Sequence, residues 1–158
     1  MIDDTLFALS LVSALGCGLI AGAFFAFSSF VMKALSRLPP AQGIAAMQWI
    51  NIVVINPWFM SALFGSALAC VALSVLSLLE WDEPESIYRL TGSALYLVGT
   101  ILVTVAFNVP RNDSLAAAAP DGDDSAELWS RYVREWTAWN HVRTAAALAA
   151  AALFTVAL

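Results

Sequence analysis

The segment WTAWNHVR, residues 136–143, holds the side chains of this sequence with the greatest capacity for chemistry. It contains His141, the only histidine among 158 residues, together with Asn140 and Arg143. An imidazole can act as a general base near neutral pH, and a guanidinium can stabilise developing negative charge. The residues that follow Arg143 are almost all Ala, Leu and Val. These polar groups therefore stand at the start of a long apolar segment.

The composition is that of an integral membrane protein. Hydrophobic residues make up 61% of the chain and charged residues 12%, with a mean hydropathy of +0.79. We predict an all-α, four-helix membrane bundle with interfacial helix segments, forming one domain over residues 1–158. A span needs about 20 helical residues, which places the four spans at about residues 6–32, 57–79, 88–109 and 138–158. The apolar end of the chain is too short alone, so the fourth span draws Asn140, His141 and Arg143 to the headgroup boundary.

The loops predict an orientation in the cell (inner) membrane. Six basic residues lie in or beside the first and third loops, whereas Arg89 is alone among acidic residues in the second. The positive-inside rule then places the segments 33–56 and 110–137 in the cytoplasm and both termini outside. Asp3 and Asp4 stand where a signal peptide would be basic, so we expect the first span to be retained.

Two cytoplasmic segments have helical signals of their own. The stretch AQGIAAMQWINIVVINP could lie along the interface before Pro57 opens the second span. Asp124 and Glu127 resemble a capping box at the start of a helix that continues into the fourth span. In the first span, Gly18 and Gly22 form a GxxxG pair, which favours packing within the bundle and leaves a homo-oligomer interface as the alternative.

A helical wheel gives the start of the fourth span a polar and aromatic face, with Ala138, Val142 and Ala145 opposite it. This face should turn inward, and the topology brings further aromatic, amide and guanidinium groups to the same end of the bundle. The candidate pocket residues are Phe25, Phe27, Asn56, Asn108, Arg111, Asn112, Trp136, Trp139, Asn140, His141 and Arg143, and Phe24, Ser28 and Phe30 of the first span come to the same end of the bundle. Other interpretations stay open: tryptophan and arginine anchor helices at interfaces, asparagines cap helix ends, and a lone histidine is often structural.

Several classes of function lack their essential residues. The carboxylates lie in loops or near the termini, which argues against a di-iron carboxylate site or a proton relay within the spans. One histidine cannot form a bis-histidine haem or copper site within one chain. No nucleotide-binding motif and no basic nucleic-acid face is present. We expect no cofactor and no nucleic-acid partner, although a metal or haem shared between chains stays open.

Four motifs together resemble the anthrone oxygenase-like family of small four-helix membrane proteins. They are GAFFAFSSFVMKAL in the first span, INPWF at the second, NVPRN at the end of the third and WTAWNHVR at the fourth. The resemblance covers nearly the whole chain. It implies oxidation of an anthrone to an anthraquinone by dioxygen, without metal or flavin.

That reaction requires a base, a stabilised anion and a dry aromatic slot, and the resemblance suggests residues for each. His141 would be the base, while Arg143, Arg111 and the asparagine amides would stabilise the enolate oxygen. Trp136, Trp139 and the phenylalanines would stack on a flat lipophilic substrate, anthrone-like or quinone-like, that arrives from the lipid bilayer. The competing expectation is a non-catalytic membrane protein that binds a lipid or small hydrophobic molecule, or an accessory subunit.

Overall fold

The computed structural model describes residues 2–158, which form five helices and no strand. Helix α1 runs over residues 2–35 as Ile2–Ala26, a π-helical segment Phe27–Val31, and Met32–Leu35. The other helices are α2 at Pro40–Val53, α3 at Pro57–Leu79, α4 at Ser86–Ala116 and α5 at Ser125–Val156. Two further π-helical segments, Leu95–Leu102 and Thr104–Asn108, lie within α4. The prediction of an all-α membrane fold is confirmed.

Helices α1, α3 and α4 are long and apolar enough to cross a membrane. Helix α5 has 32 residues but falls below that level of hydropathy, because Asn140, His141 and Arg143 interrupt its apolar sequence. Among the described residues three spans therefore qualify on composition, and the four-span arrangement rests on α5 joining them. Helix α2 leaves Trp49, Ile52 and Val53 exposed along one side, as a helix at the membrane interface would.

Helix α5 is central to the fold, because it packs against α1, α4 and α2. One core cluster fills the middle of the bundle around Cys17, Cys70, Tyr96 and Phe154. A second cluster lies where α2 crosses the others, and consists of Met32, Ile44, Met47, Leu115, Trp129, Tyr132 and Trp136. We call this region, with Lys33, Arg111, Arg131 and Arg134 around it, the basic end. It is the end of the bundle that holds the candidate site.

Close helix approach occurs at glycines other than the GxxxG pair. A β-carbon added to Gly18 or Gly22 would meet nothing, so the prediction that this pair packs within the bundle is wrong. Instead, Gly16 lies against Ser66 of α3 and Gly99 lies against Ala146 of α5. The helix register turns the GxxxG face outward, which leaves a homo-oligomer interface there as a proposal.

Gly99→Ala should therefore destabilise the protein, while Gly22→Ala should not. The added methyl group at Gly99 would overlap the Cβ of Ala146, and overpacking of this kind costs about 1–3 kcal/mol. Thermal unfolding of both variants in detergent measures the difference. Equal melting temperatures would contradict the observed approach of α4 to α5.

The segments around α2 and α5 show how the helix ends are satisfied. Gln48 of α2 donates from Nε2 to the carbonyl oxygens of Leu115 (2.8 Å) and Ala118 (3.0 Å) at the end of α4. Helix α5 begins directly after Asp124, but the Asp124 side chain makes no capping hydrogen bond. The predicted helix start is observed and the predicted capping box is not.

Candidate functional site at the basic end

Arg143 is a buried cation inside the bundle, with only 4% of its surface exposed. No carboxylate of the described residues pairs with it. Its guanidinium carbon lies 4.2 Å from the ring centroid of Phe24 and 5.1 Å from that of Trp136. Burying a cation costs several kcal/mol, and aromatic faces recover part of that free energy. Neutral partners must supply the rest.

Those partners are an asparagine and a threonine. Arg143 donates from Nη2 to Oδ1 of Asn140 (2.6 Å) and from Nη1 to Oγ1 of Thr104 (3.2 Å). Asn140 Nδ2 in turn donates to the carbonyl oxygen of Phe24 and to Oγ of Ser28, both at 2.7 Å. A continuous polar network therefore links α4, α5 and α1 through the interior of the bundle.

Several of the residues that meet this part of α5 from the other helices lie in π-helical segments. Ser28 belongs to the segment in α1, while Thr100, Thr104 and Asn108 belong to the two segments in α4. Asn108 donates to the carbonyl oxygen of Trp136 (3.3 Å), and Thr100 to that of Arg143 (3.4 Å). A π-helical turn contains an extra residue and is frequent at functional sites, so the distortions coincide with the polar network.

Trp136 connects the polar network to the second core cluster. Its ring lies 5.7 Å from that of Phe27 and 6.3 Å from that of Tyr132. Oδ1 of Asn112 accepts hydrogen bonds from Trp136 Nε1 and Tyr132 Oη, each 2.8 Å long. Burial raises the pKa of Tyr132 above its ordinary value, so its phenol stays protonated and remains a donor. Asn112 thus holds two aromatic side chains in place.

Asn112→Leu should lower the stability of the folded protein by about 2–4 kcal/mol, since two buried donors would lose their shared acceptor. The neighbouring exposed residue provides the control, because Asp113→Asn removes a charge without touching the cluster. Denaturant-induced unfolding, followed by tryptophan fluorescence, reports both. If the two variants unfolded together, Asn112 would not be holding the aromatic pair.

His141 lies outside this network on the adjacent side of α5. Its side chain is exposed and opens onto a groove of about 360 Å³ between α1 and α5. The groove is lined by Ser28, Ser29, Met32, Lys33, Val133, Arg134, Thr137, Ala138 and His141. Within the described part of the chain the imidazole makes no hydrogen bond to protein. Two cations and three hydroxyl groups line the same groove.

The structure brings together only part of the predicted pocket. Arg143, Asn140, Asn108, Trp136 and Phe27 meet in or beside the buried network, and Asn112 joins them through Trp136. Ala138, Val142 and Ala145 are exposed, as the helical wheel indicated. The predicted convergence of His141, Arg143, Asn108 and Asn56 on one cavity is not observed.

The remaining predicted residues have other partners. Asn56 caps α3, where its Oδ1 accepts from the backbone nitrogen of Phe59 (3.1 Å), the alternative that Pro57 suggested. Arg111 pairs with Glu135 at 3.1 Å. Trp139 stacks on Phe107 with ring centroids 3.6 Å apart. Phe25 is 61% exposed and points away from the network, because the buried face of α1 passes through Phe24.

Sequence reasoning passed over Thr104, which the network uses, whereas Phe24 and Ser28 of the first span were expected at this end of the bundle. Phe24 and Ser28 follow one helical face with Cys17 and Ile20, at three- and four-residue spacing. Thr104 carried no such signal within an apolar segment. Its role depends on the π-helical geometry of α4.

The fold and the site define a helical membrane bundle with a buried cationic network and an adjacent histidine-lined groove. The family model described as anthrone oxygenase matches residues 57–153, which include α3, α4 and most of α5. The chain belongs to the anthrone oxygenase family. Comparisons with the curated proteins and with the solved structures each found no match. The matched region contains His141, Arg143 and the asparagines of the network.

Proposed function

We propose that this protein is a cofactor-independent membrane oxygenase that acts on a lipophilic aromatic compound of the anthrone or quinone type. One observation carries the proposal beyond family membership: the only imidazole of the sequence opens onto a groove flanked by Lys33 and Arg134. A base beside two cations suits the removal of a proton to give an anionic substrate. The groove volume of about 360 Å³ lies at the lower end of the range for ligand pockets.

The proposed reaction needs no group other than the substrate, dioxygen and the side chains named. His141 takes a proton from the substrate methylene, and the electron-rich carbanion reduces dioxygen and forms a carbon–oxygen bond. The peroxide anion takes the proton back from the imidazolium and becomes a hydroperoxide. The neutral imidazole then removes the remaining C–H proton as the O–O bond breaks, which leaves a carbonyl group and releases hydroxide. The released hydroxide takes a proton from the imidazolium and becomes water. One dioxygen is consumed and one water is formed for each anthrone oxidised to anthraquinone.

We also propose that α5 forms the fourth span and that the basic end faces the cytoplasm of a cell (inner) membrane, with both termini outside. The distribution of six basic residues against Arg89 supports this orientation. The groove would then lie at the level of the lipid headgroups. A lipophilic substrate and dioxygen, which both partition into the bilayer, would reach it laterally.

Dioxygen uptake by the detergent-purified protein tests the proposed activity. With an anthrone as substrate, we expect uptake well above spontaneous autoxidation, in a ratio of one dioxygen to one anthraquinone formed. Pretreatment with a chelator should leave the rate unchanged. Uptake at the autoxidation rate, or uptake abolished by the chelator and restored by one metal, would contradict the proposal.

The second candidate is a non-catalytic binder of a hydrophobic small molecule. The absence of a hydrogen bond that orients His141 within the described residues favours it, because general bases are commonly held by a second group. Such a protein would bind the anthrone and its anthraquinone without accelerating uptake. Quenching of tryptophan fluorescence by the ligand, measured beside the uptake assay, separates the two functions.

A further inference from the structure

The hydrogen bonds that leave Arg143 have only one possible direction. A guanidinium donates and never accepts, so the Asn140 atom that Nη2 contacts at 2.6 Å must be the carbonyl oxygen Oδ1. Thr104 is likewise an acceptor, since its own hydroxyl proton goes to the carbonyl oxygen of Thr100 (2.7 Å). The hydrogen bond from the buried Arg143 guanidinium therefore fixes the orientation of the Asn140 amide.

This orientation dictates what Ser28 does. Asn140 Nδ2 donates to Ser28 Oγ at 2.7 Å, so one lone pair of Ser28 is occupied. Thr144 Oγ1 lies 3.2 Å from Ser28 Oγ, and Thr144 donates its own proton to the carbonyl oxygen of Asn140 at 2.8 Å. Toward Thr144 Ser28 is therefore the donor, and because this 3.2 Å bond is the longest that either hydroxyl makes, a nearer oxygen of a ligand can replace Thr144 as its acceptor. Its proton is available to a ligand.

Ser28 also lines the groove onto which His141 opens. We infer that Ser28 donates a hydrogen bond to the anionic oxygen of the substrate in this groove, and that Arg143 and Asn140 are positioning residues that fix the direction of this donor. The inference rests on the proposed function. It gives the buried cation a role that needs no direct contact with the substrate. Arg143 fixes the orientation of the Asn140 amide, and Asn140 in turn fixes the direction in which the Ser28 hydroxyl donates.

Ser36, directly after α1, supplies a matched control outside the groove. Its hydroxyl donates to the carbonyl oxygen of Lys33 at 3.0 Å, and Ser36 does not line the groove. Its proton is committed to the backbone, away from the substrate. Removal of the Ser36 hydroxyl should therefore leave substrate ionisation unchanged.

The test is an anaerobic titration, in which the ionisation of anthrone bound to the full-length protein in detergent is followed by absorbance. Without dioxygen the anion accumulates instead of reacting. A hydrogen bond to a charged group is worth about 1.5–3 kcal/mol, so Ser28→Ala should raise the pH of half-ionisation by about one to two units relative to the wild type. Ser36→Ala should titrate like the wild type.

Asn140→Asp tests the positioning role without changing the size of the side chain. A carboxylate would pair with Arg143 and accept from Ser28, so the Ser28 proton would turn away from the groove. We expect the same upward shift as in Ser28→Ala, in a protein that stays folded through its new ion pair. Unshifted titration of Asn140→Asp, with the fold intact, would overturn the positioning role.

The result distinguishes this inference from the proposed function. If the wild type oxidises anthrone and lowers its half-ionisation pH, but Ser28→Ala titrates identically, the role of Ser28 is overturned and the oxygenase proposal stands. If the wild type neither oxidises nor ionises anthrone, both are overturned.

Discussion

We expect His141→Ala to oxidise anthrone at least about 100-fold more slowly than the wild type, as is typical when a general base is removed. The loss should appear in kcat, because the imidazole lies at the edge of the groove and contributes one exposed surface to it. The fold should be unaffected, since His141 makes no hydrogen bond within the described residues. Initial rates of dioxygen uptake at saturating anthrone measure the effect.

Val142→Ala is the matched control, since Val142 is the next residue of α5 and is 42% exposed on the side away from the buried network. It should retain the wild-type rate within about twofold, an effect of under about 0.5 kcal/mol. Wild-type turnover in His141→Ala would remove the imidazole from the reaction. It would leave the buried network as the only candidate site.

Trp136→Ala should have the largest effect on stability of any single substitution at the basic end, about 3–5 kcal/mol. Trp136 is 5% exposed, and its ring contacts Phe27, Tyr132 and the guanidinium of Arg143. Truncation would also deprive Asn112 of one of its two donors and Arg143 of one aromatic face. Unfolding in mixed detergent micelles, followed by circular dichroism, measures the loss.

Trp58→Ala is the corresponding control, because Trp58 is 88% exposed at the start of α3 and belongs to neither of the two core clusters. We expect its stability to stay within about 0.5 kcal/mol of the wild type. Similar losses in the two variants would mean that Trp136 acts as a membrane anchor and not as the centre of a packed cluster.

The face of α5 illustrates what the sequence predicts well. The spacing of Trp136, Asn140 and Arg143 placed them on one side of a helix, and all three are buried. Polar groups in so apolar a chain turn toward protein because lipid offers them no hydrogen-bond partner. The same wheel placed His141 at the edge of that face, where a small rotation of the helix about its axis changes a side chain from buried to exposed. In the structure it falls on the exposed side.

The sequence could not predict which side chains of neighbouring helices contact each other. Three π-helical segments change the register of α1 and α4 beside α5, and a shift of one residue changes which side chain meets the network. Phe24 and Phe25, in the regular helix before the first of these segments, show how much one residue matters, since Phe24 is buried and Phe25 is exposed. Asn56 shows a different limit, because an asparagine before a proline can either cap the helix or line a pocket. In the structure it caps α3, since its Oδ1 accepts from the backbone nitrogen of Phe59.

The claim that His141 is the base is tested most directly by hydrogen exchange without dioxygen. Anthrone incubated anaerobically with the protein in D₂O should exchange its methylene hydrogens for deuterium faster than in buffer and detergent alone, as mass spectrometry would show. We predict that this acceleration is present in the wild type and in Val142→Ala and is lost in His141→Ala. Equal exchange with and without the imidazole, in a protein that still consumes dioxygen, would contradict the account.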